Sequence, residues 1–314
     1  MTRLPIIVCA AIAVAGCATQ TTQTRTAHAP SASSAPSTVS LCGADRQYFD
    51  GSELAVLWIR TSAEFRSSAE GTYRTALQAL RQGLADSGWS AEPSQYGGFS
   101  ALPPAVIMDI DDTVLDNSEA QRRAALRDPC TTGFTAIWDA WVAERAAPAV
   151  PGAAAFIRAA RELQDAEGRP VHIFFITNRE CAARAGSDAS CPQKSDTLAN
   201  LRTLGLDVPT LESDMMLRSE RPEWVGEKLL RRQQVAAEYR IVLNLGDDLA
   251  DFIPGVREQT PPERELARCR HRDWWGARWF VIPNPMYGSW QRALGQDLQA
   301  ALRLPLAAEC GETD

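Results

Sequence analysis

Ala105-Val-Ile-Met-Asp-Ile-Asp-Asp-Thr113 is an apolar run that breaks into three carboxylates, Asp109, Asp111 and Asp112. A short buried strand with acid at its carboxyl end places charge where an open α/β sheet keeps its binding crevice. Residues two apart on an extended segment share a face, so Asp109 and Asp111 can enter one pocket while Ile110 stays in the core. Two like charges that close do not both ionise cheaply unless a metal or a proton neutralises one. The segment therefore calls for a cation.

Plainer readings exist for the same residues. Asp112 or Thr113 would serve as a helix N-cap. A calcium loop fits poorly, because no Gly follows at the sixth position and Ala120 stands where the twelfth-position Glu belongs. A D-x-D nucleotide-sugar site stays open at this point.

Two more apolar strands supply further parts. His172-Ile-Phe-Phe-Ile-Thr-Asn-Arg179 ends in a hydroxyl and a guanidinium, and Arg240-Ile-Val-Leu-Asn-Leu-Gly-Asp-Asp-Leu-Ala-Asp251 ends in Gly and three acids. Helical segments are predicted before each, Pro151 to Glu167 and Gly226 to Glu238, so the order reads strand, helix, strand, helix, strand. Parallel strands joined by such crossovers present their carboxyl ends on one side, where Thr177 and Asp247 can meet Asp109. The expected fold class is α/β, a doubly wound, mostly parallel sheet. Helical segments over Ser52 to Leu84 and Glu119 to Trp141 are expected to cover the strand ends as a small cap. Leu54, Leu57, Trp58, Phe65, Tyr73, Leu77 and Leu80 give the first of these a packed face and no chemistry.

These residues carry a resemblance. Asp109-x-Asp111-x-Thr113, strand-terminal Thr177, Lys228 and Gly246-Asp247-x-x-x-Asp251 resemble the four-part signature of the haloacid dehalogenase-like superfamily. Val114-Leu-Asp-Asn-Ser118, Phe134 with Trp138 and Trp141, Val150-Pro-Gly152, Thr177-Asn-Arg179 and Pro283-Asn-Pro-Met-Tyr-Gly-Ser-Trp290 are similar to the class C, or lipoprotein, acid phosphatases and 5'-nucleotidases. The likeness spans residues 52 to 295. Two positions depart from it: Asp112 stands where the family usually has Glu, and Asp248 where it usually has Asn.

The resemblance implies a Mg²⁺-dependent acid phosphatase acting on small phosphomonoesters, nucleoside 5'-monophosphates among them. It implies that Asp109 attacks phosphorus to form an aspartyl-phosphate, and that Asp111 protonates the leaving alkoxide and later activates water. Mg²⁺ would be held by Asp109, the backbone carbonyl of Asp111, and Asp247, with Asp251, Asp248 and Asp112 behind these ligands. Thr177 and Lys228 would bind the transferring phosphoryl group. Asn178 and Arg179 are candidate substrate contacts, though Arg179 reads equally well as an ion-pair partner, and Tyr287 is the candidate for stacking on a base. The rival readings are a phosphotransferase on the same scaffold and a non-catalytic surface lipoprotein that kept the fold. The chain has three His, one of them in a low-complexity stretch, too few for a His-rich binuclear site, and it carries neither C-x₅-R nor G-x-S-x-G.

Residues 1–16 read as a lipoprotein signal peptide: one Arg and an apolar run of about a dozen residues, shorter than the ~20 of a spanning helix. Val14-Ala-Gly-Cys17 has the small residues and the Cys of a processing site, so lipidation of Cys17 and attachment to the cell envelope are expected, on the outer membrane or periplasmic face in a Gram-negative cell. Residues 17–41 read as a flexible tether and 42–314 as the phosphatase domain. Of eight Cys, those outside the leader and anchor are Cys42, Cys130, Cys181, Cys191, Cys269 and Cys310. In an oxidising compartment they suggest up to three disulfides, with Cys181–Cys191 the first pairing and Cys42–Cys310 a second that would tie the termini. A net charge of −7 with no basic stripe argues against polymeric nucleic acid as a partner. A homodimer is expected from the family likeness alone.

Overall fold

In the computed structural model, which describes residues 53–127, 133–206, 213–305 and 310–311, the apolar half of the opening stretch is the central strand of a five-stranded sheet. The elements in chain order are α1 (Glu53–Thr61), α2 (Ala63–Ala85), β1 (Pro104–Met108), α3 (Ser118–Leu126), α4 (Phe134–Glu144) and α5 (Ala153–Arg161). Next come β2 (His172–Glu180), α6 (Pro192–Thr203), β3 (Met215–Arg218), α7 (Leu229–Glu238), β4 (Arg240–Gly246) and α8 (Pro261–Arg270). β5 (Trp279–Val281), α9 (Ser289–Ala293) and α10 (Leu298–Ala301) follow.

The strand order is β3-β2-β1-β4-β5, and the pairings between these five strands are all parallel. β1 lies between β2 and β4, with Val106 opposite Ile173 on one side and Leu243 on the other. The order reverses at β1, and the crevice at its carboxyl end is where such sheets bind ligands.

Alternation along β1 divides the core in two. Val106 and Met108 join the layer built with Phe65, Tyr73 and Leu80 of α2 and with Phe156 and Ile157 of α5. Ala105 and Ile107 face the opposite layer, with Val235 of α7, Ala267 of α8, Phe252 and Trp279. Both faces are covered, which is why the strands read as unbroken apolar runs.

Several expectations change. The segment over 52–84 is two helices, broken where the Ser62 hydroxyl accepts from the Phe65 amide at 3.1 Å to cap α2. α2 packs along the sheet on α5 and β4, so it is part of a covering layer; the cap is α1 on α3 and α3 on α4, resting on α6. The Pro151–Glu167 helix is shorter, Ala153–Arg161, because the Asp165 carboxylate takes the amides of Glu167 and Arg169 and turns the chain. The Gly226–Glu238 helix begins at Leu229, with Lys228 at its N-cap position. β3, β5, α6 and α8 were not anticipated. Cys181 pairs with Cys191 as expected, but Cys310 pairs with Cys269 of α8 in place of Cys42. Cys42, Cys130, the leader, Cys17 and the tether lie outside the described residues.

Candidate active site

The acids after β1 sit on a tight loop. The Asp109 amide donates to the Leu245 carbonyl at 3.0 Å, extending the β1–β4 ladder by one residue and bringing its side chain beside β4. Ile110 is fully buried in the α2-side core, as the spacing predicts, but Asp111 does not join Asp109 in one cluster of carboxylates: it turns onto Arg179, Asn117 and Thr177. Asp112 takes a left-handed backbone, φ 56°, a conformation Asp tolerates better than most residues. Its carboxylate accepts from the Asn117 amide at 2.9 Å and from the Tyr287 hydroxyl. The shorter acid at this position therefore reaches both the loop and the segment after β5.

Asp109, Asp247 and Asp251 gather behind β1 and β4, each offering a carboxylate oxygen within 4.8 Å of the others. Gly246 makes the approach possible: a Cβ there would lie 2.6 Å from that of Asp251. Asp251 is committed, accepting from the amides of Asp247 at 3.2 Å and Asp248 at 3.1 Å and pairing with Lys228 at 2.7 Å. Lys228 also pairs with Asp109. Asp247 takes the Asn284 amide group at 2.7 Å and the Thr113 hydroxyl at 3.4 Å.

One buried lysine thus pairs with two buried carboxylates, Asp109 and Asp251, and a third, the half-buried Asp247, lies beside them. Burial pushes Asp109 up to about 7 despite Lys228, with Asp251 and Asp111 adding to the rise. Burial, then Asp109 and Asp251, holds Asp247 well above the usual carboxylate range. Burial works to lower Lys228, but Asp109 and Asp251 outweigh it and keep it above the ordinary lysine value. Excess negative charge in a site of hard oxygen donors fits a divalent cation. Asp109 and Asp247 are the residues that would hold it, since Asp251 is already occupied.

The cation reading has a measurable consequence. In cation-free protein the folded state keeps a proton on Asp109 up to about 7, whereas the unfolded chain releases it near 3.8. The fold therefore binds more protons across that window, and stability falls as pH rises through it. Melting in EDTA should drop on going from pH 4.5 to 7.5, by on the order of a few kcal/mol or ~5–10 °C. Added divalent cation should raise the melting temperature far more at pH 7.5 than at pH 4.5. Equal cation effects at both pH values would mean that these carboxylates are not the ligands.

Asp111 lies apart from this cluster. Its Oδ1 accepts from Arg179 Nε at 2.9 Å and from Asn117 Nδ2 at 2.9 Å, and its Oδ2 from the Thr177 hydroxyl at 3.2 Å. Arg179 is buried and bonds Thr197 at 2.8 Å and Asn117 at 3.4 Å as well as Asp111. Arg231, fully buried and lowered to about 10 by burial, braces the end of β2 by donating to the Thr177 carbonyl at 2.6 Å and to Asn178 Oδ1 at 2.8 Å. Asp248 faces away from the cluster: burial would raise it, but the Ser289 hydroxyl and amide and the Ala250 amide hold it below the ordinary value.

The structure thus brings Asp109, Lys228, Asp247 and Asp251 into one group and Asp111, Thr177 and Arg179 into a second beside it. Tyr287 is half-buried, its ring against the α2-side core and its hydroxyl on Asp112. Asn117, Trp141 and Asn284 stand in the sequence motifs without an assigned role, Thr113 reads there only as a helix N-cap, and Arg231 carries no sequence signal of its own. A groove of about 900 Å³ between α2, α8, α9 and β5 meets the acids only at Asp247 and Asp248.

Comparison with known proteins finds relatives of this chain. The family model described as HAD superfamily, subfamily IIIB (acid phosphatase) matches residues 90–290. The class C acid phosphatase from Bacillus anthracis with tungstate bound is 26% identical, with a TM-score of 0.62, over 82% of this chain and 95% of that one. A second structure of the class C acid phosphatase from Bacillus anthracis gives 26% identity and a TM-score of 0.61 over the same shares. The matched residues contain β1 to β5 and both groups of acids, and the chain belongs to the acid phosphatases of HAD superfamily subfamily IIIB.

Proposed function

We propose that this phosphomonoesterase hydrolyses small phosphomonoesters, nucleoside 5'-monophosphates among them, with Mg²⁺ bound and through an aspartyl-phosphate on Asp109. The observation that carries the reading is the unequal setting of the two acids on one loop. Asp109 abuts Lys228 and Asp247. Asp111 is turned out of that cluster onto Arg179, Asn117 and Thr177. Paired carboxylates in different surroundings divide nucleophile from acid.

In this reading an Asp109 oxygen attacks phosphorus in line while Asp111 passes a proton to the departing alkoxide. Asp111 then takes a proton from the water that releases phosphate from Asp109. Thr177 and Lys228 hold the phosphoryl oxygens during both steps, and Lys228 offsets charge on the nucleophile. Asp109, Asp247 and the Asp111 carbonyl would hold Mg²⁺, which supplies charge neutralisation to the phosphoryl group. Tyr287 is the proposed surface for a base or aryl group. Positioning and charge must carry most of the rate, because monoester hydrolysis needs accelerations up to ~10²¹ and one acid–base pair contributes ~10²–10⁴. Lipidation of Cys17 would hold the enzyme at the cell envelope.

The test is phosphate release from a nucleoside 5'-monophosphate and an aryl phosphate, with Mg²⁺ or with EDTA. Release from both that EDTA stops and Mg²⁺ restores supports the proposal. Folded protein that releases no phosphate under any condition would move the weight to a non-catalytic lipoprotein.

A further inference from the structure

Asn117 is fully buried at the N-cap position of α3, yet its side chain does not cap that helix. All of its polar capacity goes elsewhere. Its Oδ1 accepts from the Trp141 indole at 2.8 Å and from Arg179 Nη2 at 3.4 Å. Its Nδ2 donates to the Leu115 carbonyl at 3.1 Å and to Asp111 Oδ1 at 2.9 Å. An indole N–H and a guanidinium can only donate, so the amide oxygen must face them and the nitrogen must face Asp111.

The consequence falls on Asp111. Its Oδ1 faces three N–H donors: Asn117 Nδ2, Arg179 Nε and, at 2.8 Å, Arg179 Nη2. An oxygen so surrounded has no room for a proton of its own. The other oxygen, Oδ2, meets one hydroxyl, that of Thr177, which can either donate or accept. Arg179 is itself fixed by Thr197 of α6 at 2.8 Å, and it lies over the Trp138 ring at 5.8 Å.

We infer that Asn117, oriented by Trp141 of the cap, is a positioning residue that locks the Asp111 carboxyl with Oδ1 engaged and Oδ2 as the oxygen that delivers the proton. In the transfer the Oδ2–H bond breaks and an H–O bond forms on the leaving alkoxide, as the P–O bond to it breaks and the bond from Asp109 to phosphorus forms. The inference rests on the phosphatase reading and adds to it a path by which α4 of the cap reaches the chemistry. Loss of the lock lets the carboxyl rotate, which matters only where the leaving group needs a proton.

The test is a series of phosphomonoesters from p-nitrophenyl phosphate to alkyl phosphates, assayed with wild type, Asn117→Ala, Trp141→Phe, Asp111→Asn and the double variant Asp111→Asn/Asn117→Ala. Asn117→Ala should lower kcat on alkyl phosphates ~10–100-fold and on p-nitrophenyl phosphate by no more than ~3-fold, with KM little changed. Trp141→Phe should show the same pattern more weakly, and it carries the test if Asn117→Ala does not fold. In the Asp111→Asn background Asn117→Ala should add nothing, since there is no proton left to position. Equal losses on all esters, or an additive loss in the double variant, would overturn the positioning role while leaving the phosphatase reading intact. Asp111→Asn acting equally on all esters would remove the acid assignment and the inference with it.

Discussion

Asp109→Asn is expected to abolish turnover, by ~10⁴-fold or more, while leaving the fold at least as stable at pH 7.5 in EDTA. The amide keeps the shape of the carboxylate but is a poor nucleophile toward phosphorus, and no other described carboxylate sits at the end of β1 against Lys228. Stability moves differently because Asp109 is a costly group. Burial with Asp251 and Asp111 around it pushes it up to about 7, so at pH 7.5 the cation-free fold holds it ionised against that cost. The substitution removes this charge, and Lys228 keeps Asp251 as its partner. The melting temperature should be unchanged or a few degrees higher, the usual exchange of activity for stability at a strained site. The fall in stability from pH 4.5 to 7.5 should also flatten. Phosphate release together with thermal melts at both pH values checks all of this. Residual turnover above ~1% of wild type would move the nucleophile to another residue.

How much of this was legible in advance depended on whether a residue's task is set by its own neighbours in sequence. β1, β2 and β4 were readable because strands buried on both faces are continuous apolar runs, and each ends in residues whose charge or hydroxyl contradicts the run. β3 and β5 have four and three residues, too short for a period, and exist as strands only by pairing with β2 and β4. The stripe of Phe65, Tyr73 and Leu80 showed which face of α2 is buried but not that the sheet, and not the cap, covers it. Arg179 was visible as a cation at a strand end; its aim at Asp111 depends on Thr197 and Asn117, which come from other elements. Asn117 itself stood in a quoted motif, but its partner Trp141 arrives from 24 residues away. The pairing of Cys310 with Cys269 likewise follows from where α8 packs.

Lys228→Met should cost both activity and stability, and the stability loss should depend on pH. Lys228 is 3% exposed and sits at the amino end of α7, where the helix dipole disfavours a cation. Its position is justified only by the carboxylates of Asp109 and Asp251 that it meets. Removing one partner of a buried ion pair costs ~3–5 kcal/mol, on the order of 10 °C in melting temperature for a domain of this size. Lys228 lowers the Asp109 value against the burial that raises it, so without the lysine Asp109 holds its proton to a pH above 7. A folded value raised above the unfolded one makes stability fall as pH rises, so the deficit should be larger at pH 8 than at pH 5, where Asp109 is neutral and the pair with Asp251 is the one lost. Mg²⁺ should restore much of the melting temperature at pH 8 by taking over the neutralisation. It should not restore turnover, which is expected to stay ~10³-fold down because the phosphoryl oxygens have lost a fixed donor. An equal loss of stability at both pH values, unaffected by the cation, would show that the aliphatic stem or the pair with Asp251, and not the charge on Asp109, is what this position requires.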